Sequence, residues 1–257
     1  MNESSFPTFQ LNGKKALVTG GSKGIGLAIA SGLAHFGAEV IITGRNEDSL
    51  KEATEELIKK GYKVSWKTVD VTKKEEVLSL FDSIDREFNT IDILINNAGM
   101  NIRKALVDIE EKEWDQVIDT NLKGVFLVGQ QAAKRMIKQK SGRIINISSI
   151  LGKVAAPNQT NYSASKGGVN QLTKVWASEL APYGVTVNAL APAYIKTPMT
   201  EPLLKDKDKY QNIVNRTMMK RLGELEEVIG PAVFLASEAS SYMTGQILYV
   251  DGGWMSN

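Results

Sequence analysis

The sequence predicts an α/β fold, a doubly wound parallel sheet of about seven strands with helices on both faces. Short apolar runs alternate along the chain with longer segments of helical spacing, which is the pattern of strand–helix–strand units. Most of the short runs are unbroken, as is typical of strands buried on both faces of a parallel sheet. No linker, repeat or low-complexity tract interrupts the 257 residues, so we predict one domain over residues 1–257.

The individual elements follow from the same two patterns. The apolar runs predicted as strands are residues 16–19, 40–43, 64–69, 91–96, 144–147, 185–190 and 247–250. The segments between them repeat apolar residues at helical spacing, for example at Val169, Leu172, Trp176 and Leu180. The polar stretch 194–221 fits neither pattern, and we predict that it is a substrate loop inserted over a pocket.

Charge and composition exclude several classes of function. The 31 Lys and Arg residues against 29 Asp and Glu leave a net charge of +2, too small to favour nucleic acid or an anionic membrane as partner. The chain has no cysteine and one histidine, His35, so we predict no metal site. The first ten residues do not read as a signal peptide, and no apolar stretch approaches the roughly 18 residues of a membrane span. We expect a cytoplasmic protein.

A glycine-rich loop follows the first predicted strand. Residues 19–26 read Thr-Gly-Gly-Ser-Lys-Gly-Ile-Gly and open a helix, where backbone N–H groups can approach a pyrophosphate. The spacing differs from the Gly-x-Gly-x-x-Gly of the long-chain dinucleotide fold, and Leu27 stands where a P-loop needs lysine. The loop is therefore either an ordinary tight turn or a cofactor site. The residues that would contact a dinucleotide are Gly20, Ser22, Lys23, Gly24, Ile25 and Gly26.

The end of the second strand bears on the choice of cofactor. NAD-binding versions of this fold place an acidic residue near this point to hold the ribose 2′-hydroxyl. Here Gly44 and Arg45 follow the strand, and Lys23 lies inside the glycine loop. Two cations attract a 2′-phosphate, and a guanidinium can bind it with two hydrogen bonds. We therefore predict NADP(H), with two solvated loop charges as the alternative.

Three further motifs complete a recognisable pattern. They are Asn97-Ala98-Gly99, Asn121 within Thr-Asn-Leu-Lys-Gly, and Ser149 followed by Tyr162-Ser-Ala-Ser-Lys166. In this order, together with the glycine loop, they resemble the short-subunit branch of the short-chain dehydrogenase/reductase family. The resemblance covers nearly the whole chain, from residue 13 to residue 253. It implies a Rossmann-type oxidoreductase that moves a hydride between nicotinamide and a ketone or secondary alcohol.

The chemistry explains why these residue types recur. Tyr162 and Lys166, four positions apart on a predicted helix, share one face. A free phenol titrates near pH ~10, and a nearby ammonium together with the positive nicotinamide of the oxidised cofactor should lower its pKa. The resemblance implies that Tyr162 transfers the proton and that Ser149, not Ser148, binds the substrate oxygen. Lys166 would also bond the nicotinamide ribose, and Asn121 would hold a water that links Lys166 to solvent.

Other positions of the motif set are implied as cofactor contacts. Asp70 resembles the residue that contacts adenine, although it could instead cap the following helix, and Asn97 could simply cap its strand. The family usually has Pro-Gly after the sixth strand, whereas Ala193 follows Pro192 here, so we expect a different loop geometry. The further cofactor contacts are Asp70, Val71, Asn97, Ala98, Gly99, Tyr162, Lys166, Pro192, Ile195 and Thr197.

Two classes of substrate stay open. Arg103 and the turn at Arg45 resemble the sugar-acid branch of the family, that of the gluconate 5-dehydrogenases. Arg103 would then bind the carboxylate of a small polyhydroxylated acid, or else be a solvated loop charge. The runner-up is a 3-oxoacyl-carrier-protein reductase or general carbonyl reductase. Its acidic carrier would dock on a basic run, which could equally be a solvated helix face. That run is Lys134, Arg135, Lys138, Lys140 and Arg143.

A more distant alternative is a non-catalytic module that senses a dinucleotide. Such a module would lack Ser149, Tyr162 or Lys166, and the sequence has all three. The helices near residues 114–136 and 163–180 carry apolar residues on more than one face, which is unusual for helices in contact with water. The resemblance implies that they pair between subunits, so we expect a homotetramer built from two-fold interfaces.

Overall fold

The computed structural model describes residues 6–201 and 205–256. The chain ends, 1–5 and 257, and residues 202–204 of the predicted substrate loop lie outside the described residues. The strands of the described ranges are β1 (Lys15–Thr19), β2 (Glu39–Gly44), β3 (Val64–Thr68), β4 (Ile93–Asn96), β5 (Gly142–Ile147), β6 (Val185–Pro192) and β7 (Ile247–Val250). All of their pairings are parallel.

The strand order confirms the predicted fold class. Within the described ranges, one seven-stranded sheet has the order β3-β2-β1-β4-β5-β6-β7. The order reverses between β1 and β4, and ligands bind at such a switch point, beyond the carboxyl ends of the strands. The sequence placed the end of the sixth strand at residue 190, whereas β6 continues to Pro192. Pro192 belongs to the strand because it pairs with Val250 of β7.

Eight helices are present in the described ranges. They are α1 (Gly24–His35), α2 (Glu47–Lys59), α3 (Lys74–Phe88), α4 (Glu111–Ile118), α5 (Gly124–Gln139), α6 (Thr160–Leu180), α7 (Lys207–Arg216) and α8 (Ile229–Ala236). Neighbouring strand positions point to opposite faces. Val18 therefore packs in the apolar layer of α1 and α8, whereas Leu17 packs in that of α3 and α5. No helix in this part of the chain is long and apolar enough to cross a bilayer.

The edge strands differ from the uniform burial that the sequence predicted. The central strands β1, β2 and β4 are almost wholly buried, but β3 and β7 are half-buried along their length. An edge strand has one neighbour, so one of its sides meets solvent or a loop. The apolar side chains of each edge strand contact the helices that pack on the sheet, but no further strand of the described ranges covers the open edge.

The helix predicted near residues 114–136 is present as an unbroken helical run, but it is not uniform. Helix α4 ends at Ile118, a π-helical segment spans Asp119–Lys123, and α5 begins at Gly124. A π segment inserts an extra residue into the helical turn, and such insertions are frequent at functional sites. The apolar period does not reveal the insertion because apolar residues recur on both sides of it.

The predicted substrate loop is fixed at its base. The backbone N–H of Lys196 donates to Gly223 O at 3.0 Å, and the N–H of Gly223 donates to Tyr194 O at 3.0 Å. Further along, the N–H of Met219 donates to Gly252 O at 3.1 Å near the C-terminus. Helix α7 lies between these two attachments. The loop is therefore joined both to the end of β6 and to the segment after β7.

Candidate active site

A cavity of about 690 Å³ opens at the carboxyl ends of β1, β2, β4, β5 and β6. It collects almost all the residues that the sequence predicted for the site, although they are spread over most of the chain. Those that line it are Gly20, Ser22, Lys23, Gly24, Ile25, Gly26, Arg45, Asp70, Val71, Asn97, Ala98, Gly99, Ser149, Tyr162, Lys166, Pro192, Ile195 and Thr197. Of the residues predicted for the cofactor, the catalytic group and the substrate, Asn121 and Arg103 are not in the lining.

The glycine loop turns back on itself beneath the start of α1. A Cβ on Gly26 would lie 2.3 Å from Gly20 O and 2.4 Å from Asn97 Nδ2, so no side chain fits there. Gly20 itself has a positive φ of 64°, which favours glycine. Helix α1 begins after Lys23 without a side chain that caps its free N–H groups. Such a helix start beside an open cavity suits a pyrophosphate.

Asn97 joins the ends of β1 and β4. Its Nδ2 donates to Thr19 O at 2.9 Å and to Gly20 O at 3.0 Å. The Thr19 hydroxyl in turn accepts from the backbone N–H groups of Asn97 and Ala98, each at 3.0 Å. The Asn97 side chain thus supports the glycine loop and does more than cap its own strand. Sequence reasoning missed Thr19, whose only signal is its position directly before the glycines.

Two cations stand where the adenosine end of a dinucleotide would lie. Lys23 and Arg45 are exposed, both line the cavity, and neither forms a salt bridge with another described residue. Arg45 is near enough to the Asp70 carboxylate for its charge to favour the ionised form. The structure therefore brings the two predicted phosphate-binding cations to one cavity from separate loops.

Asp70 does not cap the helix that follows it. Helix α3 begins at Lys74, and the carboxylate of Asp70 instead accepts from the backbone N–H of Thr72 at 3.0 Å and from its hydroxyl at 2.8 Å. Burial raises the pKa of Asp70, but these two hydrogen bonds outweigh burial and bring the pKa below its usual value. The capping alternative is wrong, and Asp70 lies in the cavity beside Val71 as an ionised carboxylate.

The two serines after β5 face different ways. The Ser149 hydroxyl accepts from the N–H of Leu151 at 3.2 Å and is near enough to the Tyr162 phenol to lower its pKa. The Ser148 hydroxyl donates to Asn170 Oδ1 on α6 at 2.7 Å. Both serines come after the last residue of β5, so the alternation of side chains along a strand does not decide their orientation. Their different hydrogen-bond partners show that the two side chains point in different directions. Ser149 alone is directed at the phenol.

Lys166 lies one helical turn beyond Tyr162 on α6. Its Nζ donates to Ile147 O at 2.7 Å and is 5.6 Å from the centroid of the Tyr162 ring. Burial lowers the pKa of Lys166 to about 8. An ammonium that loses its hydration becomes easier to deprotonate, and one carbonyl does not replace that hydration.

The pKa of Tyr162 is raised in the protein without its cofactor. Burial raises it above the ordinary phenol value, and the Ser149 hydrogen bond and the Arg103 charge lower it only in part. The expected lowering by Lys166 is absent from the protein without its cofactor. Loss of water around the phenolate dominates, while the Lys166 ammonium is bonded to the backbone of Ile147. The lowering was expected from Lys166 together with the positive nicotinamide of the oxidised cofactor, so it stays a prediction for the protein with that cofactor bound.

Asn121 acts on the backbone beside the cavity. Its Oδ1 accepts from the N–H of Met100 at 2.8 Å, and its Nδ2 donates to Met100 O at 2.9 Å and to Ser165 Oγ at 3.1 Å. It is fully buried and makes no direct bond to Lys166. Asn121 therefore ties the π segment to the loop after β4. Its role in holding a water stays a prediction.

The segment after β6 accommodates alanine without strain. Ala193 has no positive φ, and its N–H donates to Val250 O at 3.1 Å. A different loop geometry was expected because alanine replaces the usual glycine. The backbone at Ala193 is one that any residue adopts, so alanine requires no such change. Beyond it, the Thr200 hydroxyl accepts from the N–H of Thr197 at 3.0 Å and donates to Ile195 O at 2.7 Å. These bonds fix the part of the loop that lines the cavity.

Several lining residues were missed from the sequence. They are Thr43, Ser49, Val69, Thr120, Ile147, Pro198 and Thr200. Thr43, Val69 and Ile147 are each the last residue of a predicted strand, and that position is the only signal that could have found any of the set. They carry no motif of their own.

Arg103 lies on the loop after β4, next to the catalytic groups. It is half-buried, its Nε is enclosed, and none of the described residues accepts a hydrogen bond from that Nε. Its charge acts on the phenols of Tyr162 and Tyr194, and lowers the pKa of each against the effect of burial. A fully solvated loop charge would be neither enclosed nor coupled to buried phenols.

Comparison with known proteins gives the same family over almost the whole chain. A family model described as enoyl-(acyl carrier protein) reductase matches residues 20–255. The chain is 45% identical over 245 residues to a gluconate 5-dehydrogenase of Gluconobacter oxydans, covering 95% of this chain and 96% of that one. It is 43% identical over 247 residues to a 3-oxoacyl-(acyl-carrier-protein) reductase of Thermotoga maritima, covering 95% and 98%.

A solved structure agrees. The gluconate 5-dehydrogenase of Burkholderia cenocepacia, in complex with NADP and tartrate, has a TM-score of 0.94 and 38% identity, covering 97% of this chain and 98% of that one. The glycine loop, the Asn97 support and the Ser149–Tyr162–Lys166 group meet in one cavity of the present chain. Motifs, sheet order and similarity therefore agree that the chain belongs to the short-chain dehydrogenase/reductase family and is an oxidoreductase that uses a nicotinamide dinucleotide.

Proposed function

We propose that this chain is an NADP(H)-dependent oxidoreductase that interconverts a ketone and a secondary alcohol on a sugar acid. The observation that carries the proposal is the position of Arg103, whose charge reaches the phenol of Tyr162 while its Nε is enclosed without a partner among the described residues. A carboxylate is the group that best satisfies such a guanidinium. The gluconate 5-dehydrogenases among its relatives support the same substrate class.

The cavity fits the cofactor in its charges and in its backbone. The uncapped start of α1 suits the pyrophosphate, and Lys23 and Arg45 suit a 2′-phosphate. When bound, NADPH supplies the hydride. The NADP in the Burkholderia cenocepacia structure supports this choice. We expect turnover with NADPH to be at least about tenfold more efficient than with NADH, a difference of ~1.4 kcal/mol.

The residues of this chain supply the oxygen-binding and proton-transfer groups. Ser149 donates a hydrogen bond to the carbonyl oxygen of the substrate, and Tyr162 donates the proton. Because burial raises the pKa of Tyr162, its phenol is protonated at neutral pH, which is the form that reduction requires. In oxidation the phenolate removes the alcohol proton, with Lys166 Nζ 5.6 Å from the centroid of its ring.

The test separates an acid substrate from a neutral one. Arg103→Ala should raise the KM for a keto sugar acid by about tenfold or more and leave the KM for a neutral ketose unchanged. Lys104→Ala is the matched control, because Lys104 is the next cation on the loop and pairs with Glu113 at 2.6 Å. Equal responses of both substrates to Arg103→Ala would contradict the proposed substrate class.

A 3-oxoacyl-carrier-protein reductase is the second candidate, favoured by the Thermotoga maritima relative. Two arginines of the basic run on which the carrier protein would dock are already paired with acidic residues of this chain. Arg135 forms two hydrogen bonds to the Asp85 carboxylate, at 2.7 and 2.6 Å, and Arg143 pairs with Glu238 at 3.2 Å. Turnover of an oxoacyl thioester that exceeds that of every sugar acid would make this candidate the better one.

The proposed assembly is a homotetramer in the cytoplasm. A shallow apolar groove crosses the π segment, α5 and α6, where Phe126 is 42% and Val175 is 51% exposed. A second copy of the same face would cover these side chains. Light scattering should report a tetramer at micromolar concentration, and Val175→Glu should dissociate it. A monomeric parent protein would refute the assembly, and a membrane-bound fraction in cells would refute the compartment.

A further inference from the structure

We infer that Tyr194 is a specificity-determining residue, whose hydroxyl holds the acid group of the substrate together with Arg103. This rests on the proposed function, because it names the second group that recognises the acid. Tyr194 follows Ala193, which lines the cavity at the end of β6. Its ring packs in the apolar cluster that also contains the ring of Tyr162.

Trp254 fixes the ring of Tyr194. The two ring centroids are 5.2 Å apart with an interplanar angle of 44°, and Trp254 is 7% exposed. Asp251 holds the turn that carries the indole, since its carboxylate accepts from the N–H of Gly253 at 3.0 Å and from that of Met255 at 2.8 Å. The phenol of Tyr194 is thus held by a rigid support, as a binding group must be.

The surroundings of the phenol are positively charged. The Arg216 guanidinium lies 4.6 Å from the centroid of the Trp254 ring, and the charges of Arg103 and Arg216 both act on Tyr194. Burial nevertheless raises the pKa of Tyr194, so its phenol stays neutral and can donate a hydrogen bond. No described residue hydrogen-bonds its hydroxyl.

The hydroxyl has no structural task that explains its presence. Phenylalanine would pack on Trp254 with the same ring, and the Tyr194 hydroxyl is not among the enclosed polar atoms of the described residues, so a ligand can reach it. A carboxylate has two oxygens, so Arg103 can donate to one while Tyr194 donates to the other. Tyr194 packs against the same apolar cluster as the ring of Tyr162, and the charge of Arg103 acts on both phenols, so the pair lies near the phenol that transfers the proton. A small acid can therefore reach both groups at once.

Tyr194→Phe tests the inference because it removes only the hydroxyl. Tyr249→Phe is the matched control: Tyr249 belongs to the same cluster, but its phenol is coupled to the carboxylate of Asp251 and not to the arginines. The substrates are 5-keto-D-gluconate and L-sorbose, which has a hydroxymethyl group in place of the carboxylate. Titration calorimetry of D-gluconate into the enzyme saturated with NADPH gives a binding readout independent of turnover.

We expect Tyr194→Phe to raise the KM for 5-keto-D-gluconate and the Kd of D-gluconate by about tenfold, with little change in kcat or in the KM for L-sorbose. Tyr249→Phe should leave all of these values unchanged. Combined with Arg103→Ala, the Tyr194→Phe effect should be smaller than in the parent, because the two groups share one carboxylate.

The possible results distinguish failure of the inference about Tyr194 from failure of the proposed function. If the parent enzyme binds and turns over the acid no better than L-sorbose, both the proposed function and the inference fail. If the parent prefers the acid and Tyr194→Phe behaves like Tyr249→Phe, the inference alone fails. Fully additive effects of Arg103→Ala and Tyr194→Phe would likewise show that they do not bind one group.

Discussion

Gly26→Ala should remove cofactor binding while the sheet still forms. The added Cβ would lie 2.3 Å from Gly20 O and 2.4 Å from Asn97 Nδ2, against an ordinary contact of 3.4 Å or more. The loop must therefore move by about 1 Å. That movement breaks the two bonds from Asn97 to Thr19 O and Gly20 O, which hold the loop in shape.

The size of the effect follows from these contacts. Each lost hydrogen bond costs about 1 kcal/mol, and overpacking costs about 1–3 kcal/mol more. A total of about 3 kcal/mol or more corresponds to a roughly hundredfold or greater rise in the Kd of NADPH. The rise is expected because the displaced N–H groups are those that would meet the pyrophosphate.

The assay is a fluorescence titration with NADPH, alongside a thermal melt of each variant. Gly230→Ala is the control, because Gly230 is exposed on α8 and an added Cβ meets nothing within 4 Å. It should bind NADPH like the parent and melt at the same or a slightly higher temperature. The reasoning is refuted if folded Gly26→Ala binds NADPH within about threefold of the parent.

Three other predictions concern the same cavity. Ser149→Ala should lower kcat by about tenfold or more with an unchanged Tm. Ser148→Ala should mainly lower the Tm, because it leaves the buried Asn170 Oδ1 without its hydrogen bond. The reverse pattern would exchange the roles of the two serines. Gly44→Asp with Arg45→Ala should reverse the preference for NADPH in parallel NADPH and NADH assays, and an unchanged preference would count against the phosphate-binding role. Burial raises the pKa of Tyr162, so kcat/KM for alcohol oxidation should rise by up to about tenfold per pH unit between pH 7 and 9. The kcat/KM for carbonyl reduction should not change over this range. A kcat/KM for oxidation that is equally independent of pH would contradict the prediction.

The sequence predicted the fold and most of the cavity lining for one physical reason. Parallel strands bring all their carboxyl ends to one edge, so motifs that follow strands must meet there. Gly20, Asn97 and Ser149 are examples, and each lies just beyond a strand in the structure. The position of each motif after a strand was enough to predict the cavity lining, because the parallel sheet brings the ends of the strands together.

What the sequence did not predict depends on contacts between distant segments. In the π segment Asp119–Lys123, Asn121 bonds the backbone of Met100, a contact that no local period encodes. The raised pKa of Tyr162 comes from burial under segments far along the chain, so a local Tyr–Lys spacing could not give its direction. The support of the glycine loop by Thr19 is likewise a contact across the sheet.

The hydrogen bond from Lys166 Nζ to Ile147 O has an entropic consequence. A free lysine side chain samples many rotamers, and their restriction costs about 2 kcal/mol. Here burial and the 2.7 Å bond restrict Lys166 when the chain folds, before any ligand arrives. Cofactor binding therefore meets a donor that is already in place, and little conformational freedom remains to be lost at that step. The cost of ordering this side chain falls on the stability of the fold instead of on the affinity for the dinucleotide.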